Sequence, residues 1–167
     1  MRIVTAKLAN SFPMGEASIQ ISNQGSGFSV TIDPDWTGLR IVAGHTFNQT
    51  IEWWVFEVVC DFLYARPNYF AQRGSLINGP LGVAVPFQTI DGFVADRCYG
   101  RNLGENETMR VSFIAGILIH LGICHEASHD VPEPDGQVKK RKGVALTDDW
   151  VEKMRNTPTR RHLGAGL

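Results

Sequence analysis

Val111-Ser-Phe-Ile-Ala-Gly-Ile-Leu-Ile-His-Leu-Gly-Ile-Cys-His-Glu-Ala-Ser-His129 is the stretch on which the reading of this chain turns. It is apolar from Val111 to Cys124, broken by Ser112 and His120. Phe113, Ile114, Ile117, Leu118 and Leu121 recur at three- and four-residue spacing, which gives a helix one buried stripe. Met109 extends the stripe backwards. A helix is therefore expected from about Glu107 to about His129, ended by Pro132 and Pro134. Gly116 and Gly122 each cost about 1 kcal/mol of helix propensity relative to alanine, which a closely packed neighbour would offset. The run is too short to span a bilayer and reads as a buried core helix.

The last five residues spell H-E-x-x-H. On the expected helix His125 and His129 share a face, so two imidazoles can grip one cation while Glu126 polarises a bound water. The five residues resemble the zinc motif of the zincins, and the resemblance extends no further along the chain. It implies His125 and His129 as zinc ligands and Glu126 as general base. The third ligand has to come from elsewhere. In the thermolysin-like group it is a glutamate on a following helix, which points to Glu152, with Asp149 as second choice. The metzincin extension is absent. Asp130 stands where the zincin pattern prefers an uncharged residue, and the motif falls on the last turn of its helix. A simpler reading accounts for the same residues: imidazoles complement a helix C-terminus, and Glu126 and Asp130 mark a solvated face.

Upstream, Ala17–Asn23 and Phe28–Asp33 alternate with period two. Ile19 and Ile21 match Phe28, Val30 and Ile32 across the turn Gln24-Gly25-Ser26-Gly27, so a hairpin is expected. Arg2–Leu8 and Leu39–Ala43 read as further strands, the latter after Pro34–Gly38. Thr46 and Gln49 fit a capping box opening a helix that carries Ile51, Trp54, Val55, Val58 and Phe62 on one stripe. Trp53 and Phe56 widen it, leaving Glu52, Glu57 and Asp61 for water. Arg66-Pro67 ends it. Leu81–Val85 and Gly92–Ala95 read as short strands. Gln137–Gly143 reads as a basic surface loop. Thr147-Asp148-Asp149-Trp150 reads as an N-cap and first turn of a short helix ending near Asn156.

The chain has 167 residues, 43% apolar and 20% charged, which suits one folded core. Residues 1–167 read as a single domain with 133–167 as a basic C-terminal segment. That segment holds eight Lys/Arg and five Asp/Glu, and the remainder eight and twelve. The overall net charge of −1 argues against a general polyanion binder. Cys60, Cys98 and Cys124 are odd in number and widely spaced, so reduced thiols and a cytoplasmic location are expected. No signal peptide or membrane span is recognisable.

Two cysteines have further readings. Cys124 lies one helical turn after His120, a spacing that allows a thiolate–imidazole pair, although inert packing is the commoner role. Arg97 and Arg101 beside Cys98 could lower its thiol pKa, although a loop cysteine near arginines is common. Lys139, Lys140, Arg141 and Lys142, with Arg160 and Arg161, could contact phosphates or an acidic partner. Trp36, Trp53, Trp54 and Trp150 do not interleave with that run, so no stacking platform for single strands is indicated.

The expected fold is α+β: an N-terminal antiparallel sheet packed on two long buried helices, with a short C-terminal helix and a basic tail. The expected function is a cytoplasmic protein-interaction or assembly/inhibitor module without catalysis. The alternative is a zinc-dependent, peptidase-like hydrolase using His125, His129, Glu126 and Glu152.

Overall fold

A computed structural model describes residues 2–22, 27–45, 47–74, 80–83, 85–105, 110–133 and 135–157. Ile3–Ser11 form α1, which puts Val4 and Leu8 in the core. Arg2–Leu8 is thus not a strand. Val4 and Leu8 are four apart, a spacing that serves one helix face as well as it serves alternation.

The expected hairpin is present. β1 (Ile19–Ile21) and β2 (Phe28–Ile32) pair antiparallel, with Ile19 opposite Val30 and Ile21 opposite Phe28. Gln24 to Ser26 of its turn lie outside the described residues. β3 (Gly38–Ala43) and β4 (Phe47–Glu52) complete a four-stranded sheet ordered β1-β2-β3-β4. Phe28, Val30, Ile32, Leu39, Ile41, Phe47 and Ile51 are its buried residues. The chain crosses from β2 to β3 through a turn organised by Asp33. Its carboxylate accepts from Asp35 N, Thr37 Oγ1 and Thr50 Oγ1. Trp36 in that turn has φ 58°, and its carbonyl accepts from Trp53 Nε1 at 2.7 Å. A left-handed non-glycine residue costs about 1–2 kcal/mol, which these bonds offset.

Phe47–Glu52 is a strand where a helix start was expected; Thr46 lies outside the described residues. Only Phe47 and Ile51 are buried there, too few for alternation to show in the sequence. The helix, α2, spans Trp53–Tyr64. Its buried residues include Glu57, expected in water, whereas Trp54 is half-exposed. Arg66, ahead of Pro67, is extended, as proline demands. A short strand unseen in the sequence follows, β5 (Phe70–Gln72). Gly92–Ala95 is not a strand either. Ile90–Phe93 is a short helix, α3, capped by Thr89 Oγ1 and running on into a wider helical turn to Cys98. Leu81 and Val85 share only an isolated bridge.

The decisive stretch divides. α4 covers Val111–His120 and buries Val111, Phe113, Ile114, Ile117 and Leu118. Glu107 and Met109, the expected start, lie outside the described residues. Phe113 packs edge-on against Phe28 and beside Phe47, at 5.0 and 4.4 Å between ring centroids. The helix stops nine residues early because Gly122 takes a left-handed φ of 67°. Ile123 N then bonds Leu118 O at 2.9 Å, and Gly122 N bonds Ile119 O at 3.0 Å. This is the paired closure of a glycine-terminated helix, sealed by buried Ile123 and Leu118.

Beyond it the chain is extended. β6 (Cys124–Pro132) pairs antiparallel with β7 (Val138–Leu146) along nine rungs, from Cys124 opposite Leu146 to Pro132 opposite Val138. The basic stretch expected as a loop is therefore strand. Glu133 and Gln137 close the hairpin, with Gly136 at φ 80°. β5 joins the other side of β7, giving the order β5-β7-β6. α5 (Asp148–Asn156) follows as expected, burying Trp150 and Val151. One continuous core takes residues from both sheets and from α1, α2, α4 and α5. The α+β class holds, with five helices among the described residues, but α2 and α4 have only twelve and ten residues. No helix among the described residues is long and apolar enough to cross a membrane. Pro134 and the tail with Arg160 and Arg161 lie outside the described residues.

Candidate functional site

The H-E-x-x-H residues lie on β6, and this changes their geometry. In a strand, positions i and i+4 share a face but stand about 13 Å apart along the chain. A single zinc needs each nitrogen within about 2 Å. Glu126 projects to the opposite face, where its Oε1 accepts from Arg73 Nη2 at 2.8 Å. The His129 ring packs on Phe70, 4.8 Å between centroids. His125 Nδ1 lies 3.0 Å from the Glu126 carbonyl oxygen.

The other acids are engaged locally. Glu152, exposed on α5, accepts from Arg155 Nη1 at 2.6 Å and Asn156 Nδ2 at 2.9 Å. Asp149 pairs with Lys153 at 2.6 Å. Among the described residues, no group of three or more His, Cys, Asp or Glu could hold a metal ion.

The surroundings of the three thiols favour the protonated form. Burial pushes Cys124 up to about 12, from an ordinary 9.0. Cys98 is likewise raised to about 12, first by burial and then by Glu52, so the neighbouring arginines do not prevail. Burial, with Cys124, Glu57 and Asp61 nearby, raises Cys60 as well. His120 is exposed at the end of α4 and Cys124 begins a strand, so the two do not share a helical face.

What the structure does assemble is the β6–β7 ribbon. Its base is core: Cys124, Val144 and Leu146 are buried and share a face with Ala71 of β5. Its far half has no such cover. Val138, Lys139, Lys140 and Lys142 are exposed, and β6 from Glu126 to Pro132 is exposed or half-exposed. Gly143 makes room for this arrangement. A Cβ there would collide with the Ala71 carbonyl and stand 2.6 Å from Phe70 Cε2, so the Phe70 ring lies across the strand.

A cleft of about 760 Å³ adjoins this face, lined among others by Arg66, Phe70, Gln72, Thr89, His129 and Arg141. Arg141 is held from Nε and Nη2 by Glu133 Oε1, both at 2.8 Å. Sequence reasoning saw the basic run but not its strand, because four consecutive cations hide any alternation. The chain matches no protein-family model, no curated protein and no solved structure.

Proposed function

We propose that the chain is a non-catalytic protein-interaction or assembly module whose working surface is the β6–β7 ribbon. The observation that carries this reading is an outward strand pair anchored in the core at Cys124, Val144 and Leu146 and bare beyond Gly143. Unpaired strand edges add strands from other chains unless they are blunted. Free Cys60, Cys98 and Cys124 fit a reducing, cytoplasmic setting.

Amine-reactive cross-linking in extract of the source cells, read by mass spectrometry, tests this. Links from one partner should concentrate at Lys139, Lys140 and Lys142. Stoichiometric zinc in the purified chain, lost in His125→Ala together with peptidase activity, would replace this reading with the hydrolase.

A further inference from the structure

We propose that the second side of β7, from Val138 to Lys142, accepts an acidic extended peptide of a partner protein as an added strand. This rests on the interaction-module reading and names its ligand. β6 pairs with β7 along its whole length, whereas β5 pairs with it only at Gly143–Ala145. Among the described residues, Val138 to Lys142 therefore have a strand on one side only. An added strand would continue the line of β5. Val138 is 64% exposed, and Lys139, Lys140 and Lys142 are exposed with it.

Charge selects the ligand. Lys140 and Lys142 project to one face of β7, Lys139 and Arg141 to the other. Arg141 is taken by Glu133, but Lys139, Lys140 and Lys142 make no ion pair among the described residues. Across β6, Lys142 faces Ser128 and Lys140 faces Asp130. Carboxylates at alternate positions of an incoming strand would repeat at roughly 7 Å, the same step that separates Lys140 from Lys142.

The outer side of β6 suits this ligand less. It bears Glu126 and Asp130 and ends in Pro132, features that blunt an edge. Nucleic acid fits less well too. An added strand is held through main-chain hydrogen bonds along the edge of β7, and a phosphodiester backbone has no N–H groups to donate in return.

The test is fluorescence anisotropy of the full chain with a fluorescein-labelled peptide of four Glu-Thr repeats. Saturable binding in the micromolar range is expected, with the charge-reversed Lys-Thr peptide silent. The double variant Lys140→Glu/Lys142→Glu, both exposed sites, should weaken binding about tenfold or more with an unchanged circular dichroism spectrum. The acidic peptide N-methylated at every amide should lose at least about tenfold as well, because neither of its edges can pair as a strand. Three results would overturn the inference: no binding up to about 1 mM, equal binding of the methylated peptide, or tighter binding of a single-stranded oligonucleotide. If peptide binding fails while partner cross-links persist at Lys139, Lys140 and Lys142, this inference falls and the interaction ribbon remains. Failure of both removes both.

Discussion

Glu57 Oε1 accepts two hydrogen bonds from Thr5, one from its backbone nitrogen and one from Oγ1, both at 2.7 Å. Thr5 lies in the first turn of α1, where backbone donors lack helical partners, and Arg2 supplies no side-chain cap. A carboxylate buried on α2 thus caps α1 from outside, at the positive end of its dipole.

Glu57→Ala should cost about 1–3 kcal/mol, because it leaves a covered N–H without an acceptor. Glu57→Gln keeps an acceptor and should cost less. Urea denaturation of the two variants measures the difference; equal losses would show that the carboxylate fills space and does not cap.

Gly122→Ala must place a Cβ on left-handed backbone, at about 1–2 kcal/mol. For a chain of this size each kcal/mol lowers Tm by about 2–4 °C. Gly116 sits inside α4 without that conformation and is buried, so Gly116→Ala reports helix propensity together with packing, and only Gly122→Ala carries the left-handed cost. A thermal scan in which Gly122→Ala is neutral or stabilising would contradict the closure described.

Gly143→Ala should destabilise by about 1–3 kcal/mol through overpacking. Adding Phe70→Ala removes the ring but not the Ala71 carbonyl, so part of the clash persists. The two losses should sum to more than the double variant shows. Simple additivity in denaturant midpoints would mean that the ring does not lie over the glycine.

Cys124 predicts alkaline sensitivity. Its thiol titrates near 9.0 when unfolded and at about 12 in the fold. The folded state therefore holds the proton longer. Its contribution is intact below pH 9 and is lost as pH rises towards 12, by at most about 1.4 kcal/mol per pH unit. Cys124→Ser should flatten that decline in denaturation series between pH 8 and 10.

The sheet of β1 to β3 was legible in the sequence because Ile19, Ile21, Phe28, Val30 and Ile32 alternate with no competing period. α5 was legible through the acidic first turn that follows Thr147. The centre of the chain was not. Val111–Cys124 is apolar enough to serve helix or strand, and only the conformation of Gly122 decides where one gives way to the other. The glycine was visible as a cost to a helix, yet not as its end, since no proline or charged cluster stands beside it. Reading through Gly122 carried His125 and His129 onto a helix they do not occupy. The cap from Glu57 lay beyond sequence reasoning for a different reason: its partner is fifty-two positions away.

The turn centred on Trp36 gives the molecule a built-in optical gauge. Trp36 and Trp54 are 50% and 46% exposed, whereas Trp150 is 4% exposed. Acrylamide should therefore quench the emission in two steps, an accessible fraction first and a shielded one later. Because Trp53 is tied to the Trp36 carbonyl, loosening at the β2–β3 junction will reach the accessible fraction while the shielded indole still reports an intact interior.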